Sequence, residues 1–397
     1  MVRARRVFTA TGAPAIRDGA VAFHNGTITF VGPAAAMSTP AAGVVDFGDA
    51  TILPGFVDAH AHLSLPADGR SYEDLHAGPD EPLLRAGLAN ARRHLSCGVT
   101  TVRDNGARGQ LGFAIRRTAP LRVLACGRPL TPHGGHFHFC GGEADTPTEL
   151  DAAVRTLVAE GADHIKLIAS GGGTAGSAPH ESTYDRDQLR LAVQTAHALG
   201  RLTTAHCRST ESLRRAVAAG VDCVEHVDFL GPDASVAYEP AVAEQLGSAG
   251  TYLSMTMQAG GYDALVDSAA GIDTGRGTAD LDRIRAYFDD KLATLARLLA
   301  DGFAERIVLS TDAGPSDTRF GRFGLGLALA VEAGMTPVQA LTAATRTAAA
   351  ACGIADRVGT LRPGQAADLL VTEGDPTVSI GDATRVRAVF VGGVRTR

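Results

Sequence analysis

The sequence predicts an α/β fold: a (β/α)8 TIM barrel with a small β-sandwich domain built from both chain ends. Three observations carry that prediction. The first is a recurring layout. In "GLANARRHLSCGVTTVRDNG", "ELDAAVRTLVAEGADHIKLIASGG", "LRLAVQTAHALGRLTTAHC", "SLRRAVAAGVDCVEHVD" and "LARLLADGFAERIVLSTDAG", an amphipathic helix leads through a glycine into a short apolar run that ends in polar residues. The glycine suits the left-handed residue that closes a helix, and the unbroken apolar run suits a strand buried on both faces. The second is the count: "FVDAHAH", "LRVLACG" and "TYLSMTM" complete eight such runs, near residues 57–62, 100–104, 121–126, 164–169, 202–206, 222–226, 251–256 and 306–311. Eight parallel strands alternating with helices make a barrel. The third is that the ends read differently. "GAVAFHNGTITFVGP" alternates apolar and polar residues around an Asn25-Gly26 hairpin signal, and "GTLRPGQAADLLVTEGDP" and "RVRAVFVGGVRTR" repeat the style near the other end. Residues 1–56 and 357–397 are therefore assigned to the small β domain and 57–356 to the barrel. The segment 258–290 is long for a barrel loop and reads as a lid.

Composition narrows the function classes. A formal net charge of −6, with acids and bases spread along the chain, leaves no basic stripe of the kind nucleic acid requires. The first twenty residues lack a continuous apolar segment, and no later run is long enough to span a bilayer, so a cytoplasmic protein with no membrane partner is expected. Six cysteines (Cys97, Cys126, Cys140, Cys207, Cys223, Cys352) are scattered without CxxC spacing, which argues against a disulfide framework and against a structural zinc site.

The stretch "ILPGFVDAHAHL" ends an apolar strand with two histidines one residue apart. Residues two apart on a strand point to the same side, and barrel active sites lie at the C-terminal strand ends, so His60 and His62 face one point. The other strand ends offer Lys166 in "HIKLIAS", His206 in "TTAHC", His226 in "CVEHV" and Asp312 in "LSTDAG". A lone strand-end histidine is ordinarily a satisfied core residue. Six polar positions in phase with the strands are another matter, and imidazole with carboxylate is the donor set for zinc or a similar divalent ion. Lys166 would be an unpaired charge inside the barrel. As a carbamate formed with carbon dioxide it becomes an anion able to bridge two metal ions.

"LPGFVDAHAHL", "HIKLIASGG", "TAHC", "VEHVDFL", "STDAG", "EAGMTPVQALTAATRTAA" and "GTLRPGQAADLLV" resemble the amidohydrolase superfamily, in the branch of imidazolonepropionase-like proteins and Xaa-Pro or Xaa-Arg dipeptidases. The resemblance runs over nearly the whole chain. It implies a carboxylated Lys166 and a binuclear site, with His60, His62, Asp312 and the carbamate on one metal and His206, His226 and the same carbamate on the other. Two divalent ions, zinc by donor type, would then activate a hydroxide for hydrolysis of a C–N amide bond in a peptide or N-acyl amino acid. Asp312 is placed to take the proton and return it to the leaving amine.

Weaker signals concern the substrate. "PHGGHFHFCGGE" holds His133, His136 and His138; its "GGH" element resembles one that faces substrate in the family, which makes His136 a carbonyl or substrate contact and leaves His133 and His138 as loop polars. "GGGTAG" at 171–176 matches G-x-G-x-x-G only formally, with no helix opening on it and no acidic partner at the expected distance. Asp104 reads as a hydrogen-bonding rim residue. Where relatives commonly show "HAHG", this chain has "HCRS", placing Arg208 where its planar fork suits a carboxylate; Arg319 and Arg322 are further candidates for that role. Three readings of another kind stand beside the leading one: a mononuclear deaminase or cyclic-amide hydrolase, which would not need Lys166; a peptide-trimming enzyme of a natural-product pathway; and a non-catalytic scaffold, against which the intact ligand set argues. A small-molecule or peptide substrate is the expected partner, and the oligomeric state, a homo-oligomer included, is left open.

Overall fold

The computed structural model describes residues 1–37 and 43–397. Its sixteen strands fall into three sheets. β1 (Val2–Val7), β2 (Ile16–His24), β3 (Thr27–Pro33), β4 (Val45–Asp46) and β5 (Ala50–Pro54) come from the start of the chain. Next come β6 (Phe56–Ala61), β7 (Val99–Asp104), β8 (Arg122–Ala125), β9 (His164–Ile168), β10 (Leu202–Ser209), β11 (Cys223–Leu230), β12 (Tyr252–Thr256) and β13 (Ile307–Ser310). β14 (Leu369–Glu373), β15 (Val386–Val391) and β16 (Val394–Arg395) come last.

Both chain ends build one mixed sheet in the order β16-β15-β14-β5-β1-β2-β3, with β4 beside β1. The seam is the antiparallel pairing of β14 with β5, where Val371 lies opposite Ile52 and Leu370 opposite Leu53. Asn25 and Gly26 both take positive φ (47° and 78°), the conformation that a two-residue hairpin needs. Val2, Val7, Val21, Ile28, Ile52, Leu369 and Val371 form a buried cluster of this sheet's own.

The middle strands are parallel and form a three-stranded sheet, β6-β7-β8, and a five-stranded one, β13-β12-β11-β10-β9. Backbone bonds join the two at both margins. On one side the Asp312 N–H donates to His60 O (2.7 Å) and the His62 N–H to Ala313 O (2.8 Å); on the other the Leu130 N–H donates to Lys166 O (2.9 Å) and the Ile168 N–H to Leu130 O (2.9 Å). The eight strands stand where the sequence predicts them, except that β10 and β11 continue about three or four residues further. β10 stops where Ser209 caps the helix Thr210–Ala219, its side chain accepting from Ser212 N. Gly220, at φ 85°, then turns the chain back towards β11. The sheets pass close at Gly55, between β5 and β6, where a Cβ would lie 2.2 Å from Thr100 Oγ1.

The segment 258–290, read as a lid, contributes Ala259, Gly260 and Tyr287 to the lining of a cavity described below. It folds into the helix Tyr262–Ala269 and the first half of the helix Thr278–Ala300, whose Phe288, Leu295 and Leu298 are buried in the main core. Among the described residues no helix is long and apolar enough to cross a membrane, and all six cysteines are unpaired.

Candidate active site

At the C-terminal ends of the parallel strands lies a cavity of about 310 Å³, lined by His60, His62, His136, Lys166, His206, Arg208, His226 and Asp312 together with Tyr72, Phe137, Ile168 and Tyr287. A wider groove on the flanking sheet, beside Arg5 and Arg17, contains no histidine. The chemistry is in the smaller cavity.

Five donor side chains converge there in two groups. In the first, His60 Nε2 and His62 Nε2 are 3.3 Å apart, and Asp312 Oδ1 lies 3.2 Å from the former and 3.4 Å from the latter. In the second, His226 Nε2 is 2.8 Å from His206 Nδ1. The groups adjoin: donor atoms of His60, His226 and Asp312 lie within 4.8 Å of one another. Lys166 is buried beside them and pairs with Glu225.

This donor set fits divalent metal ions on two grounds. Tetrahedral coordination with bonds of about 2.0–2.1 Å puts neighbouring donors about 3.3–3.4 Å apart, close to the spacing of the first group. The outer nitrogens supply the second ground. His62 Nδ1 lies 3.3 Å from Gly106 O, His206 Nε2 3.0 Å from Gly171 O, His226 Nδ1 2.9 Å from Thr256 Oγ1, and His60 Nδ1 3.4 Å from Glu225 Oε2. The rings of His62, His206 and His226 thus turn one nitrogen to an acceptor and the other to their neighbours, as metal-binding histidines do, while His60 Nδ1 faces the Glu225 carboxylate without hydrogen-bonding it. Burial pushes His60, His206 and His226 well below the usual histidine range, which keeps them neutral and able to coordinate. Burial alone would raise Asp312, but attraction to His60 and hydrogen bonds with His60 and His62 hold it well below 3.8, so it is ionised. Burial also brings Lys166 down to about 7.

Backbone geometry delivers these groups. Asp58 ties β6 to β13: its Oδ1 accepts from the N–H groups of His60 (3.2 Å) and Thr311 (3.1 Å), and its Oδ2 faces Thr311 Oγ1 (2.5 Å) and His94 Nε2 (2.9 Å). On β11 the chain takes left-handed φ at His226 (66°), Val227 (60°) and Phe229 (52°), and Asp312 does so at 54°. Non-glycine residues adopt this region at a cost, and such strain gathers at functional sites. Its effect here is that Glu225 and His226, adjacent in sequence, both reach the interior.

His136 lines the cavity with a defined tautomer. The Phe137 N–H donates to Thr174 Oγ1 (3.1 Å), leaving that hydroxyl to donate to His136 Nδ1 (2.7 Å), which also receives the Thr174 N–H (3.3 Å). Nδ1 is therefore an acceptor, and the proton sits on Nε2. Burial pulls His136 down to about 3, so the ring stays neutral. Gly172 packs against Nε2, where a Cβ would come within 2.5 Å. His133 is exposed and lies 3.4 Å from Glu143, and neither it nor His138 lines the cavity.

The three arginines separate. Arg208 lines the cavity, its Nε donating to Asp228 (2.5 Å) and its Nη2 to Tyr287 Oη (3.3 Å). Arg319 and Arg322 do not reach it: Arg319 pairs with Asp267, and Arg322 binds Asp263 (2.7 Å) and Asp267 (3.0 Å) on the helix Tyr262–Ala269. These pairs tie that helix to the loop after β13. Sequence reasoning missed Glu225, Asp58, Thr256, Thr174, Tyr72 and Tyr287. Only "VEHV", an acid beside a ligand-type histidine, carried a visible signal.

The amidohydrolase family profile matches residues 51–396. The chain belongs to the amidohydrolase family. Within that family it is 26% identical over 410 residues to an imidazolonepropionase of Chloroflexus aggregans, covering 91% of this chain and 86% of that one. It is 26% identical over 363 residues to an ochratoxinase of Aspergillus niger, covering 83% and 71%. A Xaa-Pro dipeptidase crystal structure with bound methionine superposes with a TM-score of 0.85 at 23% identity, over 100% of this chain and 99% of that one, a likeness of fold. The amidohydrolase described here is a metal-dependent hydrolase of C–N amide bonds.

Proposed function

We propose that this amidohydrolase cleaves the amide bond of a peptide or N-acyl amino acid at a binuclear centre. His60, His62 and Asp312 would hold one divalent ion and His206 and His226 the other, with Lys166, carboxylated, completing the donor set; zinc is the ion that suits it. The observation that carries the reading is the pair of adjoining donor groups, with the outer nitrogens of His62, His206 and His226 on acceptors and a lysine buried between strands that bear them. Bound ions would supply Lewis acidity and a nucleophile at neutral pH. The chain supplies the rest. Asp312 accepts the proton of the attacking water and passes it to the leaving amine. His136 directs its Nε2–H at the carbonyl oxygen, a fixed donor where negative charge develops. Arg208 pairs with a carboxylate of the substrate.

The eight parallel strands are read as a closed barrel over 57–356, supported by the backbone bonds at both sheet margins, and residues 1–56 with 357–397 as a small β-sandwich domain with its own core. Six unpaired cysteines favour a reducing, cytoplasmic setting.

The test joins elemental analysis of the purified protein to an assay of amino-acid release from dipeptides and N-acyl amino acids. Two ions per chain, with hydrolysis abolished by chelation and restored by metal, are expected. One ion beside an uncarboxylated Lys166 would overturn the binuclear reading.

A further inference from the structure

Among the fully buried carboxylates that take no part in the steps above, one faces both Lys166 and a ring nitrogen of His60. Glu225 stands on β11 next to His226, and its two oxygens face different partners. Oε1 accepts from Asn105 Nδ2 (2.5 Å) and Thr204 Oγ1 (2.7 Å), with Arg103 Nη2 at 3.6 Å. Oε2 meets Lys166 Nζ and lies 3.4 Å from His60 Nδ1. We infer that Glu225 is a positioning residue whose single carboxylate sets both His60 and Lys166, and so couples the two halves of the proposed metal centre.

Three features separate this from a simple salt bridge. His60 Nδ1 is a buried atom with no hydrogen-bond partner among the described residues, and Glu225 Oε2 stands 3.4 Å from it, whereas the outer nitrogens of His62, His206 and His226 have neutral acceptors. A carboxylate behind a ligating imidazole fixes its tautomer and raises its basicity, and losing such a partner typically costs 10–100-fold in metal affinity. Next, Oε1 is anchored by an amide, a hydroxyl and a nearby guanidinium, so the carboxylate is held from behind and presents Oε2 in one orientation. Finally, Glu225 directly precedes His226, the first left-handed residue of β11, so a shift of Glu225 moves a ligand of the other group as well.

The inference rests on the binuclear reading for what Lys166 does, but its test on His60 stands apart. Zinc is titrated calorimetrically into metal-free wild type and Glu225→Gln, and the His60 imidazole nitrogens are followed by NMR with 15N-histidine labelling. Glu225→Gln is expected to bind the first ion 10–100-fold more weakly, with circular dichroism unchanged. In metal-free wild type the His60 proton is expected on Nδ1. Wild-type zinc affinity in Glu225→Gln would overturn the inference. Should that variant fail to fold, a wild-type His60 protonated on Nε2 instead would overturn it. A wild type that binds only one ion sinks the binuclear reading and leaves the His60 result to decide the role of Glu225.

Discussion

The ends of β6 and β11 deliver site residues in opposite ways. On β6 no residue takes left-handed φ, although its pairing with β7 shifts register between Asp58 and Ala61, and His60 and His62 turn to one side, two residues apart. On β11 three left-handed residues break the alternation, and consecutive residues, Glu225 and His226, both enter the interior. Strand β6 places like donors side by side. Strand β11 places an acid behind one group of donors and an imidazole within the other, which no straight strand can do with neighbouring residues.

Lys166 lies between the two and offers the largest effect. Lys166→Ala should lose at least one metal ion, read by elemental analysis, and nearly all turnover. In the metal-free protein, where Lys166 is an ammonium, the change also strips Glu225 of its closest cation, and breaking a buried pair in this way typically costs about 3–5 kcal/mol. Adding Glu225→Gln should recover much of that stability in a thermal melt without restoring metal. If the double variant melts no higher than the single one, the pairing of β9 with β11 through these side chains is not what the charge network rests on.

The same contrast explains what was legible in the sequence. His60, His62, Lys166 and His206 could be read because period-2 alternation and barrel polarity hold along β6, β9 and β10 up to the cavity. Glu225 could not, because alternation sends the neighbour of an inward His226 outwards, and only the left-handed backbone reverses that. Asp58 was hidden differently: it stands in phase with His60 and His62, but its role as the bond between β6 and β13 depends on Thr311, some 250 residues further along. The pairing of Arg319 and Arg322 was not legible because a loop's charge says nothing of its partners. Their aspartates, Asp263 and Asp267, lie in a segment read as a lid with no helix assigned to it.

Asp312 belongs with the irregular positions, at φ 54°. Asp312→Asn suits that backbone, since asparagine tolerates the left-handed region, and keeps one oxygen towards His60 and His62. The ion should remain while kcat falls by about 10²–10⁴, the usual contribution of general acid–base catalysis. Normal turnover with intact metal would remove Asp312 from the proton-transfer role.

Asp104, at the end of regular β7, shows what an inward carboxylate does without a cation. Its Oδ1 accepts from the Leu63 N–H (2.8 Å), its Oδ2 is buried without a partner, and burial lifts it to about 6. The folded-state value exceeds the unfolded 3.8, so between the two the native chain holds a proton that the unfolded chain has released. The stability this confers is complete below about pH 4 and is lost as pH rises through 6, a change of about 3 kcal/mol. Asp104→Asn should therefore melt higher than wild type at pH 8 and much closer to it at pH 4. A difference that does not change with pH would mean that the carboxyl titrates normally in the folded protein.

The smallest expected effect lies on β10, whose pairing with β11 shifts register between Cys207 and Ser209. β10 continues to Ser209, so Arg208 stands two residues beyond His206 on the same strand and turns to the same side. Asp228 holds its Nε and Tyr287 Oη its Nη2, while Nη1 has no protein partner among the described residues. The guanidinium is fixed from behind and leaves an edge in the cavity, a preorganised fork for a carboxylate. A charged hydrogen bond of this kind is worth about 1.5–3 kcal/mol. Arg208→Ala should therefore depress kcat/KM about 10- to 150-fold for substrates with a free carboxylate near the scissile amide, and much less for their amidated analogues. Tyr287→Phe, which removes only the hydroxyl steadying Nη2, should give the same selective loss at a fraction of the size. Equal losses on acids and amides would instead assign Arg208 to holding the helix Thr278–Ala300 against β10, the role its bonds to Asp228 and Tyr287 would then fulfil alone.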